Sequence, residues 1–308
     1  MNILFMGTPE FAVPCLDILF KNGHNICGVI TQPDKPKGRG HKLAPPPVKE
    51  YAVENNMEVY QPTTLKNNEI LPLLKELNPD IIIVVAYGKI LPEYVLTFPK
   101  YGCINVHASI LPKYRGAAPI QWAVINGEKI SGITTMYMEK GLDTGDMILR
   151  AEVAIDPEET YGSLHDKLSP LGAELLLETV KRIEAGTAPR EKQDDALSNY
   201  APMISKETGH IDWSMSADDI LNLIRGTYPF PGSFCEYGEE ILKIIHASNG
   251  SSTDKPGGCF CVKNNKLEVA CGDGNTILID EIQFKGGKRM SVASYLNGHE
   301  IDETIILK

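Results

Sequence analysis

The sequence predicts an α/β fold in two parts, a doubly wound, mostly parallel sheet followed by a small β-barrel or β-sandwich. The 308 residues are too many for one ordinary core and fit two domains. Apolar strand-like runs alternate with helix-like segments up to about residue 185, which is typical of a parallel sheet covered by helices. One predicted helix over 216–225 comes next, and short strands separated by turn residues follow it. Hydrophobic residues make up 43% and charged residues 23%, as in a soluble globular protein.

The first part begins with a buried strand over Asn2 to Met6, after which Thr8 is predicted to cap a helix that has Pro9 at its first position. A second strand covers 25–31. The continuous β-branched run at 81–85 is typical of a strand buried on both faces. The remaining predicted strands are 103–108, 133–138 and 147–155, and the predicted helices are 48–56, 68–77, 117–126 and 163–185.

The composition changes near Gly186, where prolines and mixed polar residues indicate a linker. The predicted domains are therefore 1–187 and 206–308, joined by a linker over 188–205. The second domain begins with a helix over 216–225. Its predicted strands are 240–247, 258–262, 266–270 and 276–284.

Several function classes are disfavoured. The first strand is followed by Gly7-Thr-Pro-Glu-Phe, which is neither the glycine-rich dinucleotide motif nor a phosphate-binding P-loop. No apolar run approaches the roughly 20 residues of a membrane span. The seven cysteines are scattered and odd in number, which favours a reducing cytoplasm. Cys259-x-Cys261 lacks a second ligand pair at zinc spacing, so we predict two small core residues and no metal site.

The strongest candidate for chemistry combines an amide, an imidazole and a carboxylate. Asn105 and His107 lie two residues apart at the carboxyl end of a predicted strand, so both side chains leave the same face. Asp143 follows in a glycine-flanked turn, and Asp146 is the alternative charge partner. An amide can hold an oxyanion, an imidazole can move a proton, and a carboxylate can orient the imidazole. The competing interpretation is a structural histidine and an aspartate that only shapes its turn.

A basic loop interrupts an otherwise acidic chain. The net charge is −10, yet the segment 34–42 holds four basic residues against one acidic residue, together with Pro36, Gly38 and Gly40. Such a segment is predicted to be a mobile loop. It is either a solvated surface loop or a local contact for a phosphate backbone.

These motifs together resemble those of the methionyl-tRNA formyltransferases, a family of folate-dependent formyltransferases. The Asn-x-His…Ser-x-Leu-Pro core at 105–112 is shared by all folate-dependent formyltransferases and indicates only the chemistry. The basic loop and the C-terminal motifs carry the resemblance to the tRNA-specific family. The similar segments are 6–12, 31–40, 105–119, 141–146, 211–213, 228–232 and 285–290.

The resemblance implies a Rossmann-like first domain, an OB-like barrel, 10-formyltetrahydrofolate as co-substrate and initiator methionyl-tRNA as partner. It implies Asn105, His107 and Asp143 as the catalytic residues. The residues expected to contact the folate are Ser109, Ile110, Leu111, Pro112, Gly116, Tyr87 and Asp146. The residues expected to contact tRNA are Lys35, Lys37, Arg39, Lys42, Lys285, Lys288 and Arg289. We expect a monomer without a membrane partner.

The implied reaction is a direct acyl transfer through a tetrahedral oxyanion held by Asn105, with His107 and Asp143 handling the proton. Two alternatives remain open at this point. One is a formyltransferase that acts on a small amine such as glycinamide ribonucleotide or an amino sugar nucleotide. The other is a non-enzymatic RNA-binding protein whose first domain is a scaffold.

Overall fold

The computed structural model describes residues 1–37, 42–263 and 266–308, without the side chains of residues 37, 42 and 263. The chain divides into two compact units, each made from three stretches of sequence. The N-terminal unit comprises Met1–Pro119, Ile130–Ala154 and His165–Ala201. The C-terminal unit comprises Ile120–Lys129, Ile155–Leu164 and Pro202–Lys308. Among the described residues, no helix is both long enough and apolar enough to traverse a lipid bilayer.

The strands, in chain order, are β1 Asn2–Gly7, β2 Asn25–Ile30, β3 Lys35–Lys37, β4 Lys42–Ala44, β5 Val59–Tyr60, β6 Ile81–Val85, β7 Cys103–His107, β8 Arg115–Gly116, β9 Ile130–Tyr137, β10 Met147–Ala154, β11 Tyr200–Ala201, β12 Ser233–Tyr237, β13 Glu240–Ser252, β14 Phe260–Lys263, β15 Lys266–Ala270, β16 Asn275–Phe284 and β17 Met290–Ser291. The α-helices are α1 Val13–Lys21, α2 Pro47–Glu54, α3 Leu71–Leu77, α4 Glu93–Leu96, α5 Pro119–Ile125, α6 Tyr161–Glu184, α7 Ala217–Thr227 and α8 Val292–Leu296. Short 3-10 helices cover Glu10–Ala12, Asp195–Leu197 and Glu207–Gly209.

The predicted mostly parallel sheet of the N-terminal unit is confirmed. Its seven strands follow the order β10-β9-β7-β6-β1-β2-β5, in which only the pairs β7–β9 and β9–β10 are antiparallel. Every residue of β6 is buried, as its β-branched sequence predicts for a central strand. From β1 the chain adds strands on one side of the sheet, and from β6 onward it adds them on the other side. The carboxyl ends of β1, β6 and β7 therefore form the edge where such sheets bind ligands.

The start of the first helical region differs from the prediction. Thr8 does not cap it; Pro9 precedes a 3-10 turn, and α1 starts only at Val13. The Thr8 hydroxyl instead donates to the carbonyl oxygen of Tyr87, at 3.1 Å. The residue therefore joins the loops after β1 and β6, because this contact across the sheet replaces the local contact that an N-cap would make.

The predicted C-terminal β-domain is confirmed as an antiparallel sheet packed on α7. The strand order is β12-β13-β16-β15-β14, and β17 pairs with β16. Ser216 caps α7 by accepting from the backbone N–H of Asp219, and the buried face of the helix covers the sheet. The backbones of Leu307 and Lys308 hydrogen-bond with Gly258 and Glu236, respectively. Since Glu236 lies in β12 and Gly258 just precedes β14, these residues join the two ends of the strand order.

Candidate active site

Asn105 and His107 lie at the carboxyl end of β7, the strand between the parallel strand β6 and the antiparallel strand β9. Asn105 pairs with Val84 on one side, and His107 pairs with Thr134 on the other. The side chain of His107 is only 5% exposed, whereas Asn105 is half-buried. The sheet therefore holds the Asn105 backbone on two sides and the His107 backbone on the β9 side, at its carboxyl edge.

Asp143 is the residue that brings the two functional groups together. Its Oδ1 accepts from Nδ2 of Asn105 at 3.4 Å, and its Oδ2 lies 3.7 Å from Nδ1 of His107. The same Oδ2 accepts from the backbone N–H of Gly116 at 2.9 Å. The Asp143 backbone has a left-handed φ of 51°, which is unusual for a residue other than glycine. This backbone conformation therefore directs the Asp143 carboxylate toward both Asn105 and His107.

The hydrogen bonds of His107 define its tautomer. Its Nε2 lies 2.9 Å from the carbonyl oxygen of Tyr114. Because a carbonyl oxygen can only accept, Nε2 must carry a hydrogen. The nitrogen that can gain or lose a proton is therefore Nδ1, which faces Asp143. At 3.7 Å the carboxylate attracts a charge on Nδ1 without occupying it in a direct hydrogen bond.

Asp146, the alternative charge partner, contacts other residues. Its Oδ2 lies 3.4 Å from Nη1 of Arg190. The guanidinium of Arg190 stacks over the ring of Tyr137, with Cζ 3.7 Å from the ring centroid. Of the two aspartates that spacing left open, Asp143 is the one placed against the imidazole.

The loop after β7 is braced by its own polar groups. The Ser109 hydroxyl donates to the carbonyl of Lys113 at 2.6 Å, and the Ser109 carbonyl accepts from the Thr134 hydroxyl at 2.7 Å. The Thr134 hydroxyl also accepts from the backbone N–H of Leu111 at 3.1 Å. Leu111 is buried, while Ile110 and Pro112 are half-buried. These hydrogen bonds therefore hold the 109–112 loop in a fixed position beside His107.

Tyr87 lies close in sequence to the ligand-binding edge, but its ring is directed inward. The side chain belongs to the core cluster below the sheet edge and is 2% exposed. Burial raises the pKa of Tyr87 to about 12. Its carbonyl oxygen accepts from Thr8 and Gln32. The structure thus places Tyr87 as a support for the loops of this edge, with only its main chain on the loop side.

Sequence reasoning missed the stretch 190–201, which it treated as linker. Gln193 donates to the carbonyl oxygens of Asp143 and Gly145, and β11 pairs with β8 beside the site. Asn199 accepts from the backbone N–H of Tyr114 through its side chain. No apolar periodicity marks this stretch, because its contacts are made by polar side chains and main chain.

The basic residues predicted to meet tRNA lie in two places. Lys35 is exposed in β3, which pairs with β4. Arg39 lies outside the described residues, and Lys37 and Lys42 are described only in their backbone. In the C-terminal unit, Lys285 and Lys288 are exposed. Arg289 already pairs with Glu281 and donates to the Tyr228 hydroxyl, and these hydrogen bonds raise its pKa.

Metal-binding geometry is not found in the part of the chain that the structure describes, where no three His, Cys, Asp or Glu side chains form a group that could hold an ion. The prediction that Cys259 and Cys261 are core residues was wrong. Cys259 and Cys261 are half-buried beside the core, because Cys259 precedes β14 and the strand lies at an edge of the sheet. Only Cys271 of the three belongs to the core.

Comparison with known proteins identifies relatives over the whole chain. Residues 1–180 match the family described as formyl transferase, and residues 203–300 match the formyl transferase C-terminal domain. A methionyl-tRNA formyltransferase from Caldanaerobacter subterraneus subsp. tengcongensis is 54% identical, with 100% of each chain covered. One from Acetivibrio thermocellus is 51% identical, with 100% of this chain and 99% of the relative covered.

A solved structure shares the fold at lower identity. It is an N-formyltransferase from Helicobacter canadensis in complex with folinic acid and dTDP-3-aminofucose, with a TM-score of 0.69 and 22% identity. The likeness covers 90% of this chain and 98% of that one. This likeness concerns the fold of the chain.

Proposed function

The chain belongs to the methionyl-tRNA formyltransferase family, and we propose that Asn105, His107 and Asp143 form its catalytic centre. It formylates the α-amino group of methionine on initiator methionyl-tRNA, as its relatives of about 50% identity over the full length indicate. The formyl donor is a folate derivative, for which we propose 10-formyltetrahydrofolate. The observation that carries the proposed centre is the position of one carboxylate between the amide and the imidazole.

Asn105 supplies the stabilisation of negative charge in this proposal. A primary amide has two N–H groups, and one of them bonds Asp143 at 3.4 Å. The second is directed to the formyl oxygen, on which charge develops when the methionyl amino group attacks the formyl carbon. A preorganised donor of this kind typically contributes about 10²- to 10³-fold to the rate.

His107 and Asp143 handle the proton. The hydrogen bond of Nε2 to Tyr114 leaves Nδ1 as the nitrogen that exchanges a proton with the reacting groups. The nearby carboxylate stabilises the charged imidazole, and burial of both side chains strengthens that attraction. We propose that the pair protonates the departing folate nitrogen, directly or through an ordered water.

The residues around the centre fit a flat, partly apolar donor. Leu142, which directly precedes Asp143, exposes 52% of its side chain. Exposed apolar side chains beside a charged centre are suited to the faces of an aromatic ring system. The rigid loop 109–112 and Gly116 complete the proposed folate contacts, together with Asp146 at the rim.

For the RNA substrate, we propose that the basic residues Lys35, Lys37, Arg39 and Lys42 and the exposed Lys285 and Lys288 meet the phosphate backbone. The C-terminal stretch 206–308 holds 10 basic and 15 acidic residues, so a local strip rather than a uniformly basic surface would carry this contact. Arg289 would contribute only the N–H groups that Glu281 and Tyr228 leave over. We also propose a cytoplasmic location, which the seven free thiols support.

A transfer assay with labelled formyl donor tests the function. The protein should formylate initiator methionyl-tRNA at a much higher kcat/KM than elongator methionyl-tRNA. Preferred transfer to glycinamide ribonucleotide or to an amino sugar nucleotide would favour a small-acceptor enzyme instead. RNA binding without any formylated product would favour the non-enzymatic alternative.

A further inference from the structure

Gln193 makes three hydrogen bonds that connect both loops of the catalytic centre. Its Nε2 donates to the carbonyl oxygen of Asp143 at 2.7 Å and to that of Gly145 at 2.8 Å. Its Oε1 accepts from Nε of Arg115 at 3.0 Å. The side chain is half-buried, whereas the residues on either side of it from 191 to 197 are exposed. A single amide thus bridges the turn at 141–146 and the segment after the 109–112 loop.

These hydrogen bonds act on the turn that carries Asp143, whose carboxylate faces both Asn105 and His107. The Asp143 backbone has φ of 51°, a conformation that costs free energy and persists only where neighbours hold it. Gln193 holds its main chain, while the backbone N–H of Gly116 holds its carboxylate at 2.9 Å. Gly116 follows directly after Arg115, which donates to the other end of Gln193. Asp143 is therefore held at its main chain and at its carboxylate, in both cases relative to the segment 115–116.

We propose that Gln193 is a positioning residue that sets the distance and direction of the Asp143 carboxylate toward His107 and Asn105. The inference rests on the proposed function, because it assigns Asp143 to the proton-handling step. The long separations, 3.7 Å to His107 and 3.4 Å to Asn105, make the carboxylate sensitive to small shifts of the turn. A shift of about 1 Å at a catalytic group can cost about 10²-fold in rate.

Two substitutions separate the two ends of the amide. Gln193→Glu keeps an acceptor for Arg115 but places negative oxygens against two carbonyl oxygens, so it releases the Asp143 turn. Gln193→Met keeps the length and loses all three bonds. The matched controls are Asn22→Asp and Asn22→Leu, which remove a side-chain amide that donates to the carbonyl of Ile18 at 2.8 Å. Asn22 follows α1, which leads away from the ligand-binding edge of the same unit.

The expected result is a loss of kcat of about 10-fold or more for both Gln193 variants, with KM for either substrate changed by less than about threefold. The pH profile of kcat should shift in both, because moving the Asp143 carboxylate changes the electrostatic stabilisation of the proton-transfer step. Thermal unfolding should show that the variants remain folded, and the Asn22 variants should keep both kcat and the pH profile.

Three outcomes would overturn the inference. Wild-type kinetics for Gln193→Glu with a defect only in Gln193→Met would mean that the amide serves Arg115 alone. A change in KM or in unfolding temperature with an unchanged pH profile would indicate general support of the fold. Equal losses in the Asn22 variants would show an unspecific effect. Failure of the proposed function itself is recognised separately, because then the wild-type protein would also transfer no formyl group to methionyl-tRNA.

Discussion

Asp143→Asn removes the charge that faces His107 while it keeps the size of the side chain and an oxygen that can accept from Gly116. The Oδ2–Nδ1 distance is 3.7 Å, and the two side chains are 11% and 5% exposed. At an effective dielectric constant of about 20, Coulomb's law gives about 4 kcal/mol for two unit charges at this separation. If the imidazole is charged in the transition state, that free energy corresponds to a loss of about 10³-fold in kcat.

Single-turnover formyl transfer at saturating donor and methionyl-tRNA measures this loss without interference from product release. Asp280→Asn is the control, because Asp280 pairs with His246 at 2.9 Å but the two side chains are much more exposed than the catalytic pair, at 38% and 51%. Solvent screens such a pair, so the control should change kcat by less than about twofold. A rate for Asp143→Asn within about threefold of wild type would refute the reasoning. A larger loss for Asp146→Asn would move the charge partner to the other aspartate.

Three further predictions concern stability. Gly116→Ala should destabilise the protein by about 1–3 kcal/mol in denaturant unfolding, because φ is 121° and a Cβ would meet the carbonyl oxygen of Ala201 at 2.6 Å; an unchanged midpoint would contradict this. Hydrogen bonds from Ser251 and Thr276 hold the pKa of Glu268 below its usual range. The resulting stabilisation is present above a pH of about 4.3 and disappears as the pH falls through the lowered pKa, so Glu268→Gln should unfold at lower temperature than wild type at pH 7, and the two should converge in acid. A difference in unfolding temperature between the two proteins that stays constant with pH would argue against the charge as its cause. Leu307→Ala should cost about 2–5 kcal/mol, since the side chain is 3% exposed, whereas Ile306→Ala, at 53% exposure, should cost less than about 0.5 kcal/mol.

The sequence was sufficient for the elements whose burial is set by local composition. The run at 81–85 has β-branched residues at every position, and a strand buried on both faces is the structure that accommodates them. Asn105 and His107 were predictable as a pair because the period of a strand puts alternate residues on one side. Asp143 could be narrowed only to two aspartates, because the direction of a side chain in a turn depends on backbone angles that spacing does not reveal.

Features built from polar contacts between distant segments were not predictable. Thr8 matched the local pattern of a helix cap, yet its hydroxyl bonds Tyr87, 79 residues away. The burial of the Tyr87 ring in the core was not predictable either, since an aromatic residue after a buried strand can turn to either side; its contact with the folate stays a prediction. Gln193 lies in a stretch with the composition of a linker, and its role depends on carbonyl groups 48 and 50 residues earlier in the chain.

The C-terminal unit is discontinuous in sequence, which restricts how it can be separated from the rest of the chain. Ile120–Lys129 and Ile155–Leu164 belong to it together with Pro202–Lys308. Arg225 donates to the carbonyl oxygen of Pro157, and a Cβ on Gly226 would collide with Ile125. A fragment cut at the boundary suggested by composition would leave those surfaces bare and prone to aggregate. Chimaeras that exchange this unit between family members therefore need to transplant the two inserted stretches along with it.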